Sequence, residues 1–191
     1  MKIQPKRFLL QMIAALSVLV ALACYSEQAP DIVKKVIPTL ETWGHSPALV
    51  AAVKAQNSQN LTLDQIKARD KKWRATSSVD SFMNSLMHND AAKQMLKFEK
   101  SKPYFAELFL MDNQGANVAM TNKTSDYWQG DEAKFTQTYK QGKGAVHVSD
   151  VEYDDSTLSY LVQVSVPVID HHKKVIGALT IGINLDELEG H

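Results

Sequence analysis

The chain has 191 residues, 45% of them hydrophobic and 22% charged, which excludes a disordered or collagen-like chain. Its 21 Lys+Arg balance 21 Asp+Glu, so no net positive field gathers nucleic acid. One cysteine excludes a disulfide framework and a cysteine-based zinc site, and eight scattered glycines make no phosphate-cradling loop.

The first element is a targeting segment. Lys2, Lys6 and Arg7 precede an apolar run from Phe8 to Cys24, interrupted only by Gln11 and Ser17. A cationic tip, an apolar stretch and the small-residue ending Ala21-Leu22-Ala23 make residues 1–23 a secretory signal. An uncleaved anchor is the alternative, the run being at the short end for a membrane span. Val20 to Cys24 also resembles a bacterial lipobox, in which Cys24 would be diacylated and become the mature N-terminus. All three readings place the folded part outside the cytoplasm, in the periplasm. Without residues 1–23 the chain loses three cations and no acid, and becomes mildly acidic. No second apolar run follows, so the expectation is a module that reports to a separate membrane partner.

Residues 30 to about 102 read as helical. Ile32, Val33, Val36, Ile37, Leu40 and Trp43 recur at three- and four-residue steps, with Pro38 as a kink or break. Ser46-Pro47 restarts a helix with proline at its first position. Thr62 is a natural N-cap for the segment that carries Leu63, Ile66 and Trp73. Residues 78–87 and 89–100 continue the rhythm. These stripes are core-packing faces.

From Phe105 the period becomes two. Strands are expected at 107–111, 116–121, 145–153, 158–169 and 174–185, with a turn at Asp112-Asn113-Gln114-Gly115. Short connections make the last three an antiparallel meander. On the fourth strand, Val162, Val164, Val166 and Val168 share one face, and Ser159, Leu161, Gln163, Ser165 and Pro167 the other. That second face has short neutral polar groups among apolar ones, as a pocket wall does; a partly exposed sheet face is the alternative. Residues 122–144 form a long connection with its own helix to about Gln141, Asp131 and Glu132 falling in its first turn. Tyr127 and Trp128 in this connection either wall a small-molecule site or pack the loop onto the sheet.

The order of elements, and the stretches AELFLMDNQGANVAMTNKTSDYWQGDEAKF, GKGAVHVSDVEYDD, VQVSVPVID and KKVIGALTIGINLDEL, resemble a stand-alone exported Cache group of proteobacteria, also called PDC sensors. Leu40-Glu41-Thr42-Trp43 and Asp70-Lys71-Lys72-Trp73-Arg74-Ala75 carry the resemblance into the helical half, so that it covers about residues 30–188. It implies one α+β domain, N-terminal helices packed on a five-stranded antiparallel PAS-like sheet. It also implies a small organic ligand, often a carboxylate or amino acid, held between sheet and insertion, with a membrane receptor or kinase as partner. The closely spaced Tyr, Arg and Trp of the amino-acid-binding subgroup are missing, and Tyr153-Asp154 resembles only that subgroup's later Tyr-Asp pair.

The candidate ligand-binding residues are therefore Tyr127 and Trp128 as the aromatic wall of a lid, Tyr153 and Gln163 as polar groups on the sheet, and Lys134 or Arg74 as the cation. A solvated position is the alternative for Lys134 and Arg74. No G-x-S-x-G stands in the chain, His171-His172 sits in a polar turn without a third ligand at zinc spacing, and no nucleophile–base constellation is legible. The reading is non-catalytic, without cofactor or metal. A structural or interaction protein that uses the same fold without a ligand is the rival.

Overall fold

The structure, a computed structural model, describes residues 29–154 and 159–190. The targeting segment with Cys24, and the turn expected beyond Asp154, lie outside the described residues. Among the described residues no helix is long and apolar enough to cross a membrane.

The helical half comprises α1 (Asp31–Lys34), α2 (Ile37–Trp43), α3 (Pro47–Asn57), α4 (Leu63–Arg74), α5 (Ser81–His88) and α6 (Asp90–Glu99). Pro38 explains the break after Lys34: it lacks an N–H, and its ring would meet the carbonyl of that residue. Thr62 opens α4 with a capping box, its hydroxyl taking the Gln65 N–H while the Gln65 side chain takes the N–H of Thr62. Asp80 and Asn89 cap α5 and α6 by the side chain alone, accepting the N–H groups of Met83 and Ala92 at 2.9 Å.

The second half contains β1 (Phe105–Met111), β2 (Asn117–Met120), α7 (Ala133–Tyr139), β3 (His147–Val148), β4 (Glu152–Asp154), β5 (Ser159–Ile169), β6 (Val175–Asn184) and α8 (Leu185–Glu189). The sheet is antiparallel in the order β2-β1-β6-β5-β3, with β4 also pairing β5. Five strand positions are thus filled, the third by two short pieces. Ser149 explains that division: its hydroxyl, in place of a backbone carbonyl, accepts the Gln163 N–H at 2.9 Å. The ladder is interrupted there and resumes at Glu152. The acids at 131 and 132 precede α7 instead of entering it, and Glu132 pairs with Lys134.

Alternation along the strands divides the interior in two. Leu108, Leu110, Val162, Val164, Val166, Val168, Leu179 and Ile181 join α1, α2, α3, α6 and α8 in one apolar cluster. Within it Trp43 stacks on Phe98 with ring centroids 4.4 Å apart. Phe109, Met111 and Ala178 face the other way. They meet Ile66 and Trp73 of α4, Met83 and Leu86 of α5, and Tyr127 and Phe135 of the insertion. The insertion between β2 and β3 therefore lies over the second face of the sheet.

Candidate functional site

A cavity of about 470 Å³ opens between that second face and the insertion. Its floor is a row of three residues in register: Glu107 on β1, Gly182 on β6 and Gln163 on β5. Because position 182 has no side chain, Glu107 lies across the β6 backbone and reaches Gln163, whose Nε2 donates to Oε1 at 3.1 Å. A Cβ at 182 would sit 2.6 Å from Cγ of Glu107. Burial pushes the Glu107 carboxyl above the usual carboxylate range. The Gln163 hydrogen bond opposes this, Asp154 adds to it, Lys134 opposes, and Glu99 adds.

The walls supply cations and amides. Lys134, the second residue of α7, pairs with Glu132 at 3.0 Å and hangs over the Phe109 ring, 5.4 Å from its centroid. Lys123 donates to the Thr76 carbonyl at 2.7 Å. Arg74 reaches in from the end of α4, with its Nε 2.9 Å from Asp70 and 3.6 Å from Asp126. Gln129, Thr124, Ser125 and Asp154 complete the polar lining, and Trp73 and Phe109 the apolar part.

Asp70 holds the roof in place. Buried at 5% exposure, its Oδ1 accepts the backbone N–H groups of Tyr127 at 2.9 Å and Trp128 at 3.1 Å. The Trp73 indole adds a 2.9 Å bond to the Thr124 carbonyl. In this way α4 carries the start of the insertion on three hydrogen bonds.

Of the residues singled out in the sequence, Gln163, Lys134 and Arg74 line this cavity. The other three stand elsewhere. Tyr127 is fully buried, its ring against Trp73 and Phe82, its hydroxyl accepting from Gln56 Nε2 at 3.1 Å and Arg69 Nη1 at 3.3 Å. Trp128 donates its indole N–H to the Gln114 carbonyl at 2.8 Å, and Lys67 sits over its ring. Both aromatic rings fasten the insertion to its neighbours, the second of the two readings open to them. Tyr153 pairs with Tyr160 on β5, the two rings in edge contact and each about half exposed. Position 160 shares its face with Val162, away from the cavity. The next residue, Asp154, has the parity that faces inward; a step of one residue changes the face.

Ser165 belongs to the cavity's face but is sealed, its hydroxyl on Thr180 Oγ1 at 2.8 Å and its carbonyl under Thr138 of α7. Glu107, Lys123, Gln129 and Asp154 were not singled out from the sequence. Glu107 had a signal: it alternates with Phe109 and Met111, an acid at an inward position. Gln129 and Lys123 lie in irregular backbone, where no period assigns a face. His171 stands 3.4 Å from the Lys54 ammonium, and among the described residues no cluster of three His, Cys, Asp or Glu is placed to hold a metal.

The family profile described as "Methyl-accepting chemotaxis protein-like, first PDC sensor domain" matches residues 79–190. The chain belongs to this PDC sensor family. No curated protein matches it. Among solved structures, this PDC sensor is similar to the sensor domain of the Vibrio cholerae histidine kinase DctB, at 16% identity over 83% of this chain, with a TM-score of 0.40. The sensory domain of the Campylobacter jejuni chemoreceptor Tlp3 with isoleucine bound is similar at 15% identity over 84%, with a TM-score of 0.41. The ligand-binding domain of the Pseudomonas aeruginosa chemoreceptor PctC in complex with GABA is similar at 12% identity over 83%, with a TM-score of 0.38. The PDC sensor spans 54% of the DctB chain and 64% of each of the other two.

Proposed function

We propose that this chain is an exported, non-catalytic sensor module that binds a small organic carboxylate in the cavity under the insertion. It passes the bound state to a separate membrane receptor or kinase. Residues 30–188 act as one sensing unit, and export to the periplasm follows from the segment at 1–23, with acylation of Cys24 as one route to the membrane surface.

The observation that carries this reading is the cavity's lining. Its volume of about 470 Å³ falls in the range of small-molecule sites. Three cationic side chains, Arg74, Lys123 and Lys134, face two acids, Glu107 and Asp154. Burial raises the proton affinity of Glu107, which lessens its repulsion of an anion. Each lysine donates one hydrogen bond to the protein; an ammonium has three donors, so each retains capacity for a ligand oxygen. The side-chain amides of Gln129 and Gln163 add orienting groups. Charge-assisted hydrogen bonds from such a set favour a carboxylate over a neutral ligand.

A thermal-shift screen of small mono- and dicarboxylates, amines and amino acids tests the reading. A carboxylate present at about 100 times its dissociation constant adds about 2.7 kcal/mol of stability, a rise of about 5–10 °C for a domain of this size. Lys134→Met then weakens that ligand by about tenfold or more, the worth of one charge-assisted hydrogen bond. If no carboxylate shifts the transition at millimolar concentration, the ligand reading fails and the interaction-protein reading replaces it.

A further inference from the structure

The Glu107 carboxyl is out of place in a site for an anion. It lies on the floor, over the Gly182 backbone and against Gln163, among the residues that line the cavity. Its geometry is not accidental: Gly182 clears the ground beneath it, and the Gln163 amide holds Oε1 at 3.1 Å. A charged carboxylate in this position would repel the anion the walls attract. A neutral one does the opposite, because its O–H donates.

We propose that Glu107 is the specificity-determining acid of the cavity, and that an anion enters together with one proton, which resides on Glu107 and is donated to a ligand carboxylate oxygen. The inference rests on the carboxylate reading above and adds a proton to it. The balance is simple: ionised Glu107, one proton and the anion give neutral Glu107 hydrogen-bonded to the anion, with no bond made or broken other than to that proton.

The groups facing Glu107 agree with this. From β4 comes Asp154 and from α6 Glu99, both raising its proton affinity; from α7 comes Lys134, lowering it, as the Gln163 amide does from β5. Burial is the largest of these influences, and the net effect is toward the neutral form. Lys123 and Arg74 stand further round the wall. A histidine also stands in the neighbourhood. His147, on β3 opposite Ser165, is held toward its neutral form by burial, with Asp150 opposing and Lys134 assisting. Its protonation would also favour an anion at low pH, so the test must separate the two residues.

The expected linkage has a definite sign. Below the titration of free Glu107 the acid is already neutral, and affinity is at its maximum. Above it each anion must bring its proton, and the dissociation constant rises by about tenfold per pH unit. The probes are acetate, lactate, malonate, succinate and citrate, measured by calorimetry from pH 5 to pH 8 in buffers of different ionisation enthalpy. In the native protein the binding probe takes up close to one proton at the upper end of the range. Glu107→Gln, the same shape without the charge, binds at all pH values as the native protein does at low pH, with no proton uptake. His147→Gln keeps the native slope. Gly182→Ala, which forces Glu107 up from the floor, weakens binding at least tenfold at every pH while the fold is retained.

Binding with no pH dependence in the native protein, or the same slope in Glu107→Gln, overturns the proton-linked role and leaves the carboxylate reading intact. A slope lost in His147→Gln and kept in Glu107→Gln overturns it likewise and assigns the proton to the histidine. No binding of any probe at any pH overturns the carboxylate reading and this inference with it.

Discussion

Asp70→Ala removes the single carboxylate from which the insertion hangs. In the native protein Oδ1 accepts two backbone N–H groups, from Tyr127 at 2.9 Å and Trp128 at 3.1 Å, and Oδ2 faces Arg74 Nε at 2.9 Å. The Tyr127 amide is buried, and leaving such a donor unmet costs about 1–3 kcal/mol. The Trp128 amide is only partly buried and recovers some of its loss from water, about 1 kcal/mol. The Arg74 side chain is 60% exposed, so its ion pair contributes at most about 1 kcal/mol. Together the substitution costs about 3 kcal/mol, a large fraction of the stability of a typical domain. Asp70→Asn retains an acceptor for both amides and costs about 1 kcal/mol, the charge-assisted part. Urea unfolding measures both variants, and hydrogen exchange at the two amides reports the roof locally. An Asp70→Ala variant within about 0.5 kcal/mol of the native protein, or unchanged protection of the Tyr127 and Trp128 amides, refutes the idea that α4 pins the insertion.

Tyr127→Phe removes a buried hydroxyl that receives bonds from Gln56 and Arg69; it lowers stability by about 1 kcal/mol and leaves carboxylate affinity unchanged, and a loss of affinity in a stable variant would return Tyr127 to the site. Asp170 is held at a pKa of about 2, first by its bond to Lys54, with burial opposing and the backbone N–H groups of Lys174 and His172 assisting. A depressed carboxylate contributes stability above its unfolded value, and loses that contribution as the pH falls toward the folded one. Lys54→Met therefore raises the Asp170 pKa in an NMR titration and flattens stability between about pH 4 and pH 2; an Asp170 that still titrates at about 2 contradicts this. Gly115 has φ of +84°, and a Cβ there would lie 2.4 Å from the Gly130 Cα. Gly115→Ala thus costs at least about 1–3 kcal/mol, read from the unfolding midpoint, and a neutral effect would mean that the β1–β2 turn is not locked against the insertion.

Much of the fold is legible in the sequence because its signals are local. Pro38 ends one helix, Ser46-Pro47 and Thr62 open two more, and the alternation of Val162 to Val168 assigns the core face of β5. The break in the third strand is not local in that sense. It depends on the Ser149 hydroxyl meeting Gln163 across the ladder. The same distinction divides the site. Gln163 is found by parity alone, and Tyr153 is misplaced by one step of the same period. Tyr127 and Trp128 are a different case: their faces are chosen by Asp70, 57 and 58 positions away in the chain, and no periodicity in residues 122–144 carries that information. Glu107 was readable, as the acid in an inward alternation.

The central claim, a carboxylate held between the sheet and the insertion, is tested most directly by the side-chain amide resonances of Gln129 and Gln163 during a carboxylate titration. Both resonances move and saturate together with the thermal stabilisation if the anion occupies the space they border. Saturation of the stabilisation with both amides stationary would place the ligand elsewhere on the molecule and contradict the account.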